Sequence, residues 1–334
     1  MLRTYALFTC LLATLFITGC DHRDQPAPPL SLTTLTTGLV GPIGVETDPS
    51  GRLWVTESGT GNNDARLMMI TPADGKAYPI VTGFFSETVP GGDIEGLGHL
   101  LYADGLLYVL GGDGFLYKFD IRNVQPGQEP IKASTLPRED ISSFVLAYNF
   151  VNNAHDSHPY NLTLGPDGLL YISDAAANAI LKREKTGMLS VVAEIPGIAN
   201  PTPIGPPQLQ SVPTSIVYDG QKFLVSTLIG FPFPAGKAIV YQVDLGGRVS
   251  VYQLGFNSLT GVKLDGNLAP LVIEYGQFGQ QGWVRNTGRV LRANGTTSTL
   301  LFDNIDQPTD LKRVNANTYY LTSLGEGSVK KVTL

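Results

Sequence analysis

A short phrase recurs along this chain and restricts what it can fold into. It runs turn, apolar stretch, then a hydroxyl or acid, then a loop. Its clearest copies are Asp48-Pro-Ser-Gly-Arg-Leu-Trp-Val-Thr-Glu57 and Gly165-Pro-Asp-Gly-Leu-Leu-Tyr-Ile-Ser-Asp174. Weaker copies begin at Asp104-Gly105, Asp219-Gly220, Asp265-Gly266 and near Asn315-Ala316-Asn317. A spacing of roughly 50 residues lies in the range of propeller blades. The segments alternate in the period-2 sense of strands, with turn residues between them. Pro72-Ala-Asp-Gly75, Lys185-Thr-Gly187, Leu245-Gly-Gly247 and Ala293-Asn-Gly295 read as tight hairpins, because glycine supplies the positive φ such turns need. Six such units predict an all-β, six-bladed β-propeller. The expected blades run from about Pro42 to Gly83, Gly96 to Leu136, His158 to Pro196, Pro213 to Gly255 and Leu259 to Phe302, with the sixth starting at Pro308.

The sixth copy stops after a third strand, Ser328–Thr333. An orphan Thr-rich strand, Ser31-Leu-Thr-Thr-Leu-Thr-Thr37, precedes blade one. Its alternation suits an outer strand. The economical reading is that it completes blade six, so that the chain's two ends close the ring and remove an open edge. A parallel β-helix is the structural alternative, and the hairpin turns within each repeat argue against it. The propeller thus spans residues 31–334 and is expected to be a monomer.

Residues 1–19 read as a signal peptide: Arg3, an apolar run from Tyr5 to Ile17, and no acid. Ile17-Thr18-Gly19-Cys20 resembles a bacterial lipobox, in which the Cys20 thiol is the nucleophile that takes up a diacylglycerol. Several acyl chains anchor stably where one does not. Residues 20–30 then form the lipidated cysteine and a Pro-rich tether. The expected location is the bacterial cell envelope, with the membrane as partner through the lipid. Cys10 and Cys20 are the only cysteines, so the mature chain has no internal disulfide. Removing residues 1–19 takes away Arg3 and no acid, leaving 22 bases against 29 acids, a net charge of -7. A mildly acidic domain argues against nucleic acid as a partner.

Counting back from each turn places Gly44, Asn161, Ser215, Gly261 and Asp310 at matching points of the innermost strands, with Gly98 as the sixth. Glycine is kept where backbones crowd. Glu57, Gly111, Asp174, Thr227, Glu274 and Ser323 form a second set at the ends of the second strands. Three of those are acids. With Asn161 and Asp310 nearby, Glu57, Asp174 and Glu274 have the oxygen chemistry to hold a divalent cation such as calcium, or a cationic or hydroxylated ligand. The competing reading is that each acid accepts backbone N–H groups and pins its blade. Ser58-Gly-Thr-Gly-Asn-Asn-Asp64 reads as an Asx-rich loop before it reads as a calcium loop. His155 and His158 stand three apart without a third ligand in register. Phe231-Pro-Phe-Pro234 displays two rings, either folded over the propeller face or offered to a ligand. No nucleophile elbow, phosphate loop, His-Glu-x-x-His or mature cysteine nucleophile is present.

Several stretches together resemble the ScyD/ScyE family of secreted β-propellers. They are Gly41-Pro-Ile-Gly-Val45 leading to Val55-Thr-Glu-Ser-Gly-Thr-Gly-Asn-Asn-Asp64, His158-Pro-Tyr-Asn-Leu162 leading to Ser173-Asp-Ala-Ala-Ala-Asn178, Gln210-Ser-Val-Pro-Thr-Ser215, Thr227-Leu-Ile-Gly-Phe-Pro-Phe-Pro-Ala-Gly236 and Ile273-Glu-Tyr-Gly276. Ala65 and His158 depart from the family's usual Gly and Asn. The resemblance covers nearly the whole mature domain and implies a propeller of the same architecture, without implying an activity. The leading expectation is a lipid-anchored binding propeller that holds a small ligand, a glycan or an envelope protein. The alternative is a metal-dependent hydrolase or lactonase that uses the acids around a cation.

Overall fold

The computed structural model describes residues 29–334. The signal peptide, Cys20 and most of the tether lie outside the described residues.

Each turn motif ends one strand and starts its antiparallel neighbour, and the chain builds six such sheets. Blade one comprises Pro42–Thr47, Leu53–Glu57, Ala65–Ile70 and Ala77–Phe84. Blade two comprises Leu97–Ala103, Leu106–Gly111, Phe115–Asp120 and Arg138–Asp140. Blade three comprises Pro159–Leu164, Leu170–Asp174, Ala179–Arg183 and Leu189–Glu194. Blade four comprises Ser211–Tyr218, Phe223–Ile229, Ala238–Val243 and Val249–Phe256. Blade five comprises Leu259–Leu264, Pro270–Glu274, Gly288–Ala293 and Ser298–Ile305. Blade six comprises Pro308–Arg313, Thr318–Ser323 and Ser328–Thr333, and the N-terminal strand Ser31–Thr36 completes it. That strand lies antiparallel to the last one, with Ser31 opposite Thr333 and Leu32 opposite Val332. The hairpin glycines Gly75, Gly187, Gly247 and Gly295 all have positive φ, as expected from the sequence.

Blade two departs from the expected boundary. Its fourth strand is Arg138–Asp140, beyond Leu136. The residues before it, Ile131–Lys132, run parallel to blade one's outer strand, opposite Val81 and Thr82. Pro126, Gly127 and Pro130 interrupt this connection, and proline cannot donate to a hairpin ladder. The chain therefore crosses to the neighbouring edge before returning.

First strands of neighbouring blades touch all round the axis. Apolar side chains fill the six junctions between sheets. Trp54, Leu67 and Ile80 of blade one meet Leu107, Val109 and Phe119 of blade two. The junction made by the N-terminal strand resembles the others: Val332, Leu311 and Tyr319 pack on Leu271 and Ile273, with Leu32 against them. At about 25 cal/mol per Å² of apolar surface removed from water, these faces supply most of the drive to close the ring.

Every first strand runs the same way along the axis, so the connections sort onto two faces. Blade-to-blade crossings and second-to-third loops gather on one, the mouth face. First-to-second and third-to-fourth turns gather on the other, the back face. The N-terminal strand begins at the back face, because Ser31 pairs with Thr333, which lies opposite the Ser328 end of its strand.

Candidate binding mouth

Each first strand carries a bulge near its start. Pro159 pairs with Asp174 and Asn161 with Ser173, which leaves Tyr160 as the extra residue. The same irregularity falls at Ile43, Thr214, Thr260 and Thr309. In blade two the shift lies between Leu97 and Leu100. It puts Gly98 at the bulge and His99 at the inner position. The inner ring is therefore Gly44, His99, Asn161, Ser215, Gly261 and Asp310. His99 replaces the expected Gly98, since one inserted residue reverses which side chains face the axis. The glycines of the ring are steric: a Cβ on Gly44 would lie 2.9 Å from the His99 Cα.

Below the mouth, His99, Asn161, Ser215 and Asp310 of this ring form a buried polar layer. Lys263 Nζ is 2.8 Å from Asp310 Oδ1, and the Val45 N–H donates to Asp310 Oδ2 at 2.9 Å. Burial pushes the Asp310 carboxyl up, but the Lys263 ammonium, with the Val45 N–H, more than offsets this and holds it below the usual range. His99 Nδ1 donates to the Tyr160 carbonyl at 3.0 Å, which leaves Nε2 as a lone pair 3.9 Å from Asp310. Burial, helped by Lys263, keeps the His99 imidazole pKa low against the pull of Asp310. His99 Nε2 and Asn161 Nδ2 have no hydrogen-bond partner among the described residues. The cation beside Asp310 is thus the chain's own lysine, a residue the sequence had not singled out.

The acids at the second-strand ends are wholly buried, and each is engaged by groups of its own blade and the crossing that enters it. Glu57 accepts the Val40 N–H at 2.9 Å and Arg66 Nε at 2.6 Å. Glu274 repeats this with the Asn257 N–H at 2.8 Å and Arg289 Nε at 2.6 Å. Asp174 accepts the His158 and Ala177 N–H groups, each at 2.9 Å, and the Ser157 hydroxyl at 2.7 Å. Burial raises the pKa of Glu57 and Asp174. Each acid pins the incoming crossing to its own blade, and its oxygens are spent there. No three His, Cys, Asp or Glu side chains among the described residues are placed to share a metal ion. The calcium alternative for the acid ring therefore finds no three-ligand donor set among the described residues, and the pinning alternative matches the contacts. Asp64 spends its carboxylate on the Thr60 N–H and hydroxyl, both at 2.7 Å, so Ser58–Asp64 is an Asx-type loop. His155 is exposed, while His158 turns inward to Glu95.

Above the polar layer the bulges and loops enclose a cavity of about 660 Å³. The bulge residues Tyr160, Thr214, Thr260 and Thr309 form its floor. The three threonines are fixed by donating to the next blade's backbone: Thr214 to the Leu259 carbonyl at 2.8 Å, Thr260 to Pro308 at 2.8 Å and Thr309 to Pro42 at 3.0 Å. One wall is aromatic. Phe233 of the Phe-Pro-Phe-Pro loop packs 4.8 Å from Phe278 and 4.9 Å from Trp283, and Trp283 stands edge-on to Tyr275 at 4.9 Å. Phe233 holds a positive φ of 55°, a costly backbone for a bulky residue. Phe231 stays exposed at the rim, 6.1 Å from Phe233.

The other wall is acidic. Glu95 Oε1 lies 3.6 Å from His158 Nδ1, and Asp93 stands beside it on the same loop. Burial raises the Glu95 pKa; His158 opposes this, while Glu87 and Asp156 reinforce it. Burial also raises the Tyr160 and Tyr275 phenols, so both are protonated donors. Sequence reading had not marked Glu95, Asp93 or Trp283, and Tyr275 entered only within the Ile273–Gly276 stretch of the family resemblance. The available signal was loop length: 274–288 in blade five and 229–238 in blade four are long second-to-third connections, both rich in aromatic rings.

A scan against protein-family models matches none, and a search of curated proteins finds no match. Among solved structures, virginiamycin B lyase from Staphylococcus aureus is similar over 92% of this chain and 99% of its own, at 15% identity and a TM-score of 0.52. A gluconolactonase from Xanthomonas campestris aligns over 91% of this chain and 90% of its own, at 12% identity and a TM-score of 0.59. The aldose sugar dehydrogenase of Streptomyces coelicolor, in its PQQ-bound form, aligns over 92% and 99%, at 15% identity and a TM-score of 0.56. At these identities the likeness shows the six-bladed propeller fold.

Proposed function

We propose that this chain is a lipid-anchored propeller of the bacterial cell envelope whose mouth binds a compact hydroxylated ring, such as a sugar or the end of a glycan. The observation that carries the reading is the pairing of walls. Trp283, Tyr275 and Phe233 offer flat apolar faces on which a ring's C–H groups stack. Opposite them, Glu95, Asp93 and His158 offer acceptors for hydroxyls. The gluconolactonase and sugar dehydrogenase among the similar folds act on sugars by their names, which supports the class of ligand. The reading keeps the ScyD/ScyE likeness, because the stretches that carry it line this cavity: His158 and Tyr160, Val212 and Thr214, Phe233, and Tyr275. An envelope protein as partner is the lesser form of the same proposal.

The chain contains two tryptophans, and Trp54 is fully buried between blades. Emission changes on adding a ligand therefore report Trp283. A saturable change with mono- or disaccharides, lost in Phe233→Ala and weakened in Glu95→Gln, is expected. If Trp283 responds to acrylamide but to no sugar tested, the reading is wrong.

One observation favours a hydrolase instead: Glu95, with its pKa raised and a histidine beside it, is an acid–base pair in a cleft. Lactone hydrolysis abolished by Glu95→Gln with sugar binding retained would favour that reading.

A further inference from the structure

The back face bears apolar side chains at the tips of tight turns, where small or polar residues are usual. Met188 caps the third-to-fourth turn of blade three and Leu245 that of blade four, and they are 67% and 56% exposed. Leu268 and Val314 cap the first-to-second turns of blades five and six, and Leu268 is 59% exposed. Leu268 also holds a φ of 62°, a left-handed backbone that disfavours leucine. These tips occupy blades three to six. The turns of blades one and two on this face expose no large apolar side chain. The N-terminal strand starts on the same face at blade six, with Leu30 exposed just before it.

Charge follows the same pattern. Asp167 and Glu184 are answered by Lys182, Asp219 by Lys222 and Asp265 by Arg292. Asp244 is spent on the Gly246 and Arg248 N–H groups. Lys185, Arg248 and Arg313 are exposed, stand within three residues of an apolar tip, and form no ion pair with a described residue. Apolar tips beside unanswered bases suit the interface of an anionic bilayer.

We infer that the back face, on blades three to six, lies against the phospholipid surface, with Met188, Leu245, Leu268 and Val314 in the interfacial layer and the mouth turned away from the membrane. The inference rests on the anchored reading for its orientation. Ten residues, 21–30, separate Cys20 from Ser31. At no more than about 3.6 Å each they reach about 36 Å, enough to let the face on which they root settle on the bilayer.

The test uses mature protein in vesicles of equal parts phosphatidylcholine and phosphatidylglycerol with brominated acyl chains. Tryptophan placed by Leu268→Trp is expected to be quenched, and tryptophan placed by Leu146→Trp on the mouth face is not. Equal or reversed quenching overturns the inference. Mass spectrometry of Cys20 tests the anchor separately. For protein found unmodified there, cosedimentation with the same vesicles replaces quenching: Lys185→Glu with Arg248→Glu should lower partitioning more than ten-fold, and Leu146→Ser should not. Loss of neither, or of both alike, overturns it. Sugar titration of Trp283 reports the mouth independently, so failure of one reading leaves the other standing.

Discussion

Asp174 separates a structural acid from a ligand-binding one. Its carboxylate is fully buried and accepts two backbone N–H groups and one hydroxyl. Asp174→Ala leaves the His158 and Ala177 N–H groups without an acceptor, while the part-buried Ser157 hydroxyl loses the acceptor for its own proton and still accepts from Ser142. Each orphaned buried donor costs about 1–3 kcal/mol, so the loss should be about 3–5 kcal/mol with the lost packing included. At the low end of about 2–4 °C per kcal/mol for large domains, the melting point should fall by roughly 6–10 °C. Asp174→Asn keeps one oxygen for both N–H groups and turns its amide to Ser157, so it should cost no more than about 1 kcal/mol. Burial raises the folded pKa of Asp174 above its unfolded value. The native state therefore binds more protons in that window, and this group's contribution falls as pH rises from the unfolded pKa to the folded one. The difference between wild type and Asp174→Asn should carry that slope. Urea midpoints measured across acid pH provide both readouts. An alanine variant as stable as the asparagine one, or an asparagine variant of full stability that no longer binds sugar, would refute the pinning role.

Deleting residues 31–36 leaves Ser328–Thr333 as an open edge, and size-exclusion chromatography should show association with loss of a single sharp unfolding transition. Lys263→Met strands the buried Asp310 and should cost about 3–5 kcal/mol by denaturant midpoint, with Asp310→Asn in the same chain restoring most of it. Gly44→Ala drives a methyl toward the His99 backbone and should cost about 1–3 kcal/mol, measured by thermal melting.

Much of the architecture was legible because its causes are local. Asn-Gly and Gly-Gly turns, period-2 strands and an unfinished last repeat are all written within a few residues of one another. The pinning role of the acids was half legible. Arg66 and Arg289 stand directly across the second-to-third hairpin from Glu57 and Glu274, so the acid and its base sit at the two ends of one loop. Their third partners, Val40 and Asn257, lie 17 residues upstream and are set by the crossing's path.

By itself the sequence determined six sheets, the strand that closes the last one and the crowding at the axis, since turn chemistry and alternation act over short range. The tertiary structure alone decided that a one-residue bulge turns His99 rather than Gly98 inward. It also brought Glu95, Tyr160, Phe233 and Trp283, from four different blades and crossings, to one cavity. Ring closure converts equivalent positions along the chain into neighbours around an axis, and no local pattern records which side chains then meet.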